Sequence, residues 1–539
     1  MRYSLYIIII ILFASCARRS SPSGGEQDSI PPVLVSSNPK INAVNFNKDE
    51  IRLTFDEWIT LNEIGKQLVI SPPLEKNKYQ IKPLSGATKK ILISFLDSLQ
   101  EKTTYTLNFG NSIVDNNEGN KMNFFSYTFS TGPTLDSLYL KGNIQDAFNL
   151  ETEEYLSLQL YRIDSVYNDS IIFNDKPTYL ANTLDSTNYR FNNLRKGKYV
   201  LIALKDLSDD YLFDPFYDKI AFYDSVISLP QDSLIDLRLF KEEIPLKWDE
   251  PYFINSEKIG FGYFGKLDIN KISLITKIPD SVNFLFTKEK DKDTINFWLS
   301  KNSIDSLQFK FKEVDTIKTL SVKFDRSKDS IIDSLSISNI TKSVIDLTEK
   351  FKLSSDLPIN KISDSLIFIR NIDSILIPFK SSINSNLDEI MLDFDVKPQD
   401  DYSIYILPNA IIDIRGGTND TLSFKTLSQS LEDYGNVYLN VIRDTESKYI
   451  LQMVNSNSEI IKEYNNITND GIYNFELIPP GKYLFRMIKD DNGNKIWDTG
   501  NYLQKIQPED VYYFSNELDI RANWDFNETF NLKMIEIDS

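Results

Sequence analysis

Tyr189-Arg-Phe191-Asn-Asn-Leu194-Arg-Lys-Gly197-Lys198-Tyr199-Val-Leu201-Ile-Ala203 carries the pattern from which the architecture follows. Apolar and polar residues alternate on both sides of Gly197, which is the period of a half-buried strand. The pattern therefore reads as two strands joined by a tight glycine turn. It returns without a gap as Tyr473-x-Phe475-x-x-Ile478-x-x-Gly481-Lys482-Tyr483-Leu-Phe485. The register runs on, with Lys489-Asp490 against Lys205-Asp206 and Trp497-Asp498 against Phe213-Asp214. Such self-similarity marks a repeated structural unit.

Ile51-Arg-Leu53-Thr-Phe55, Ile91-Leu-Ile93-Ser-Phe95 and Tyr105-Thr-Leu107-Asn-Phe109 also alternate with period two. Turn clusters separate them: Ser71-Pro72-Pro73, Leu84-Ser-Gly86 and Asp115-Asn-Asn-Glu-Gly119-Asn120. Short strands at this spacing predict a β-sandwich, with Tyr105 and Phe129 in its core and Gly119 in a turn conformation closed to other residues. A second echo links Tyr402, Asp413-x-x-x-Gly417 and Phe424-x-Thr426 to Tyr105, Asp115-x-x-x-Gly119 and Phe129-x-Thr131, with one residue of slip.

These residues carry two resemblances. Asn38-Pro39, Ile51-x-Leu53-x-Phe55-Asp56-Glu57, Leu99 before Thr104-Tyr105-Thr106, Ile113-x-Asp115-x-x-x-Gly119-Asn120 and Phe129-Ser130-Thr131 resemble the bacterial Ig-like domain of S-layer proteins. The repeated stretch around Gly197, with Lys141-Gly142-Asn143-Ile144 before it, resembles the transthyretin-like modules that regulate or space domains of secreted proteins. The resemblances imply an all-β chain of tandem sandwiches. The expected division is Ig-like 30–134, transthyretin-like 135–246, an unrecognised sandwich 247–343, Ig-like 344–430 and transthyretin-like 431–539.

At the N-terminus, Arg2 precedes a short apolar run, Leu5 to Phe13, and then Ala14-Ser15-Cys16. A membrane span needs about 20 apolar residues, so the run reads as a secretory signal. Small residues before the single cysteine resemble a bacterial lipobox. That resemblance implies removal of residues 1–15, acylation of Cys16 and anchoring in the outer membrane, which several acyl chains make firm. Residues 16–29 form a Ser/Gly/Pro tether. Surface-exported lipoproteins of the Bacteroidota often carry acids after the cysteine, whereas Arg18 and Arg19 stand here. Either face of the outer membrane is open on this reading.

Composition excludes whole classes of function. The 539 residues include no histidine and one cysteine, and the net charge is −18. Histidine-dependent triads, Cys–His pairs and His-containing zinc sites are therefore ruled out, as is any intrachain disulfide. Nucleic-acid binding needs clustered cations, and the balance runs the other way. Carboxylate chemistry and calcium remain. Asp490, Asn492, Asn494 and Asp498 place oxygens at positions 1, 3, 5 and 9 of a calcium-type loop. Asp206, Ser208, Asp210 and Asp214 offer the same in the first copy, although Lys495 and Asn501 depart from the EF-hand pattern. An Asn/Gly-rich turn without an ion is the alternative. The adjacent acids Asp56-Glu57 and Asp209-Asp210 do not make a glycosidase pair alone, because neighbours on a strand face opposite sides.

Two surface features remain. Asp-Ser/Thr-aliphatic triplets recur, among them those at Ser137, Ser165, Ser233, Ser306, Ser334 and Ser365. They resemble the O-glycosylation sequon of Bacteroidota extracytoplasmic proteins, and they also punctuate turns before strands. Aromatics crowd after the acidic loops: Tyr211, Phe213, Phe216 and Tyr217 in the first copy, Tyr512 and Tyr513 in the second. They would pack a core or anchor a partner. The expectation is a non-enzymatic scaffold or binding subunit whose sandwiches form an arm docking on a β-barrel outer-membrane protein or its assembly or transport machinery. Carbohydrate binding is the second reading and a carboxylate-only glycosidase the third.

Overall fold

The computed structural model describes residues 28–533, apart from 166, 232, 256, 268, 291, 302–303, 314–315, 324–334 and 445. The signal, Cys16 and Ser334 lie outside the described residues. Strand accounts for 49% of the molecule and helix for 4%, so the all-β expectation holds. The chain divides into two compact units: residues up to 145 with 153–212 and 221–237, and residues 146–152 and 213–220 with 238 onward.

The first unit begins with a sandwich. One sheet runs Leu34–Asn38, Glu50–Leu61, Thr88–Phe95, Tyr79–Lys82, with Ile113–Asp115 also on Glu50–Leu61. The other runs Val69–Ser71, Thr104–Asn108, Ser126–Ser130. The alternating residues of the sequence point inward as expected. Ile51, Leu53, Phe55, Ile91, Ile93, Tyr105, Leu107 and Phe129 share one buried core. Tyr105 stacks on Phe129 with ring centroids 5.5 Å apart, and its hydroxyl accepts the Gln100 N–H. Gly119 adopts φ +79°, as the turn requires.

The strands of the repeated stretch follow in the same unit. Asn188–Leu194 pairs with Leu138–Asp146, and Gly197–Lys205 pairs with Ser157–Arg162 and Ile227–Leu229. Side chains join the two sandwiches. Asn193, held at φ +58°, donates its amide to Thr106 Oγ1 (2.8 Å) and Thr128 Oγ1 (3.2 Å). Arg195 reaches Asp136 and the Lys102 carbonyl, Gln67 donates to the Tyr155 hydroxyl, and the Leu180 N–H donates to Ser71 Oγ. Polar groups from separate modules thus satisfy one another at the junction.

The second unit contains three further modules. Residues 247–323 form two sheets around Trp248, Phe261, Phe297 and Phe309, so the unrecognised stretch is a sandwich. The next module starts earlier than position 344. Ile337–Asn339 pairs with Phe351–Ser355 and belongs to its sheet, because Leu335 and Ile337 pack against that core. Here Tyr402 repeats the role of Tyr105, its hydroxyl accepting the Lys397 N–H at 2.7 Å. The one-residue slip has a structural meaning: the positive-φ turn glycine is Gly416, while Gly417 lies against the Asp413 carboxylate.

The last module repeats the opening stretch. Gly435–Ile442 lies between Gly471–Ile478 and Asp525–Asn531, and the facing sheet runs Ile460–Ile467, Lys448–Asn455, Gly481–Asp490, Val511–Tyr513. Tyr199 donates its hydroxyl to the Arg195 carbonyl, and Tyr483 donates to the Pro479 carbonyl. Asn193 and Leu477 occupy the same left-handed position. The repeat thus holds to individual hydrogen bonds and torsions.

Candidate functional site

The loop after Gly481–Asp490 is organised by one buried carboxylate. Asp490 is 1% exposed. Its Oδ1 accepts the N–H groups of Gly493 (2.8 Å) and Asn494 (3.1 Å), and its Oδ2 accepts that of Lys495 (3.1 Å). Left-handed torsions at Gly493 and Lys495 turn those amides inward. Asn492 and Asn494 both direct their carboxamide nitrogens to Asp498 Oδ2. The four residues named from the sequence are therefore brought together. In this arrangement N–H donors occupy the carboxylate oxygens that an ion would use.

Glu509 completes the loop and carried no signal in the sequence motif. Its two oxygens accept the N–H groups of Asp491 (2.9 Å) and Asp498 (3.0 Å), while its carbonyl accepts the Trp497 indole. Burial is the largest influence on its carboxyl and pushes it above the usual range; nearby Asp498 and Asp490 add to this, and the two amides oppose it. The only local hint was its place just before a strand, in Pro508-Glu509-Asp510.

The first copy builds the same wheel at a more open position. Asp206 accepts the N–H groups of Ser208, Asp209 and Tyr211, and the Ser208 hydroxyl also donates to it. Asp210 accepts the Leu212 N–H. Asp214 turns away to other duties, accepting the Phe216 N–H while its own N–H donates to Asp218. Among the described residues, no group of three or more Asp, Glu or Cys side chains is disposed to hold a metal ion.

The aromatic cluster separates into distinct roles. Phe213 is 3% exposed, so it is a core residue and not a surface anchor. Its match to Trp497 in the repeat explains this, since both follow the acidic wheel and turn inward. Tyr211 is half-buried, and Phe216 packs edge-on to Phe264 beneath the Lys247 ammonium. Tyr512 packs against the last module's core. Tyr513 donates to the Phe148 carbonyl at 2.7 Å, next to a stack in which Phe148 meets Trp497 and the Arg486 guanidinium. Tyr217 is the member that stands in solvent, at 60% exposure.

Ser137, Ser165, Ser233, Ser306 and Ser365 are all exposed: Ser165 in a turn, Ser306 at the start of Ser306–Lys312, Ser365 in the short 3-10 helix Asp364–Leu366, and Ser137 and Ser233 in irregular segments. Of the adjacent acids, Asp56 accepts the Val33 N–H and Glu57 is raised by burial and then by Asp115 and Asp56. Among the described residues, no helix is long and apolar enough to cross a membrane.

Comparison with known proteins places the first module in a defined class. Residues 28–131 match the family model of the bacterial Ig-like domain. Solved structures that resemble the chain include domains 1–6 of the surface layer protein SbsC, at 9% identity over 91% of this chain and 67% of that one, with a TM-score of 0.15. The Bacillus anthracis TIE protein follows at 10% identity, 95% and 76% coverage and a TM-score of 0.15. The SGBP-B of the Bacteroides ovatus mixed-linkage glucan utilization locus, solved with a heptasaccharide, gives 10%, 70%, 93% and 0.16. No curated protein sequence matches the chain.

Proposed function

We propose that the chain is a non-enzymatic, lipid-anchored protein of the outer membrane that serves as a scaffold or binding subunit of an envelope complex. Its partner on this reading is a β-barrel outer-membrane protein or the machinery that assembles or works with one. The observation that carries the reading is the bonded junction in the first unit. A scaffold must hold its modules in fixed relation, and Asn193, Arg195 (through the Lys102 carbonyl), Gln67 and Ser71 do so across the seam. The acidic loops support the same view, because their carboxylates are engaged in holding turns. The exposed Ser137, Ser165, Ser233, Ser306 and Ser365 are accessible to O-glycosylation in an exported protein. A native mass equal to that of the lipidated polypeptide alone would remove that part.

The test is a mild-detergent pull-down of the tagged, lipidated protein from its own outer membrane. Stoichiometric recovery of a β-barrel protein is expected. Replacing Cys16 by serine should release the protein from the membrane fraction. Recovery of the protein alone would overturn the docking role.

A further inference from the structure

A cleft of about 530 Å³ opens in the first unit where the two sandwiches meet. The first sandwich contributes Asn108, Phe124 and Ser126; the second contributes the face of Asn188–Leu194 and Leu138–Asp146 and the turn at Asn182–Leu184. Its size falls in the range of about 300–1,000 Å³ typical of small-ligand sites. The hydrogen bonds from Asn193 to Thr106 and Thr128 and from Arg195 to the Lys102 carbonyl hold the two sandwiches in place, so the cleft is preformed and ordering it costs little on binding.

Three features of the cleft run against folding alone. First, its charge is inverted. The chain carries 77 acidic against 59 basic residues, yet among the described residues no carboxylate lines this cleft, and Lys141 and Arg190 do. Second, those two cations are direct partners across the antiparallel ladder. Like charges placed opposite one another destabilise a strand pair. Arg190 leans on the Tyr139 ring and donates to Asn192, which leaves the repulsion unneutralised by any acid of the cleft. Third, Phe124 is 60% exposed and sits at φ +55°, a left-handed conformation that a bulky residue adopts only at a cost in strain. Its N–H donates to the Gly110 carbonyl, so the strained turn is fixed and the ring is held at the lip.

The remaining walls are carboxamides and hydroxyls, including Asn108, Ser126, Asn188 and Asn192. Such groups both donate and accept, which matches the vicinal hydroxyls of a sugar. An exposed aromatic face suits the apolar side of a pyranose ring. We infer that this cleft binds an acidic oligosaccharide, with Lys141 and Arg190 meeting its carboxylate or sulfate groups and Phe124 packing on a ring. The site stands apart from the docking role and does not require it.

The experiment is calorimetric titration of the full-length detergent-solubilised protein with hexagalacturonate, a hyaluronan hexasaccharide and a chondroitin sulfate hexasaccharide. Cellohexaose and hexaglutamate are the controls. At least one acidic sugar should bind, weakening as salt rises. Lys141→Gln and Arg190→Ala should each weaken it tenfold or more, and Phe124→Ala comparably, while the melting temperature does not fall below that of the parent and rises where the facing cations are relieved. Cellohexaose should bind at least tenfold more weakly. Failure of all three acidic sugars, undiminished binding in the Lys141→Gln/Arg190→Ala double variant, or equal binding of hexaglutamate would each overturn the proposal. The last result would make the cleft a site for acidic peptides.

Discussion

The two acidic loops share one construction and differ in what closes it. In both, an aspartate at the end of a strand gathers three backbone N–H groups: Asp206 those of Ser208, Asp209 and Tyr211, Asp490 those of Gly493, Asn494 and Lys495. In both, the same two positions take left-handed torsions. The second loop then adds Glu509, which binds two more amides from beneath, whereas the Asp214 N–H of the first turns to Asp218. The wheel is therefore set by what one carboxylate can accept, and the closure by a residue from outside the motif. Depth separates them as well, since Asp490 is buried and Asp206 is half-buried.

That difference predicts unequal costs. Asp490→Ala takes a buried acceptor from three part-buried amides and should destabilise the last module by about 2–4 kcal/mol. Asp206→Ala leaves amides that water can reach, and should cost about 1 kcal/mol. Thermal melts, with amide exchange at Gly493–Lys495 and Ser208–Tyr211, would read both. Equal losses would break the claim that burial sets the cost.

How much of this was legible beforehand follows from what kind of contact each feature makes. Ile51, Leu53, Phe55 and the residues flanking Gly197 declared their faces, because strand alternation is a local property. The repeat was legible for the same reason, down to Asp206 and Asp490. For Phe213 the sequence left core packing and partner anchoring both open, since aromatic density does not say which way a ring points after a turn. Its register with Trp497 held the correct answer. The strand Ile337–Asn339 escaped because two of its three residues are polar and exposed and the third is only partly buried, so no alternation marked its membership. The cleft beside Phe124 was illegible in principle: its walls come from two modules far apart in sequence, and only the folded seam brings Asn108 near Asn188.

Glu509 is the residue that the first loop lacks. Glutamine keeps one acceptor and presents an amino group to the other N–H, so Glu509→Gln should cost about 1–2 kcal/mol. The sign of its pH dependence is fixed by the raised carboxyl. The folded state holds this proton more tightly than the unfolded chain, whose ordinary value is 4.5. Its contribution is fully present below that value and is lost as pH rises through the elevated folded value. Melting temperatures of parent and variant should therefore differ most at low pH within this window. A gap that widened as pH rose would contradict the buried-carboxyl account.

Calcium should separate the loops least. In the second loop an ion must compete for Asp498, which already takes the amides of Asn492 and Asn494, and Asp490 is committed to the backbone. The gain is what remains after those amides rotate to offer oxygen. One millimolar calcium is expected to raise the melting temperature by about 1–2 °C, the size of a weak site near saturation. Asp498→Asn should abolish that rise. In the first loop the Ser208 hydroxyl donates to Asp206 and Asp210 holds Leu212, so Asp210→Asn should leave the calcium response unchanged. A rise of roughly 10 °C that Asp498→Asn removed would show that an ion, and not the ring of amides, holds the second loop closed.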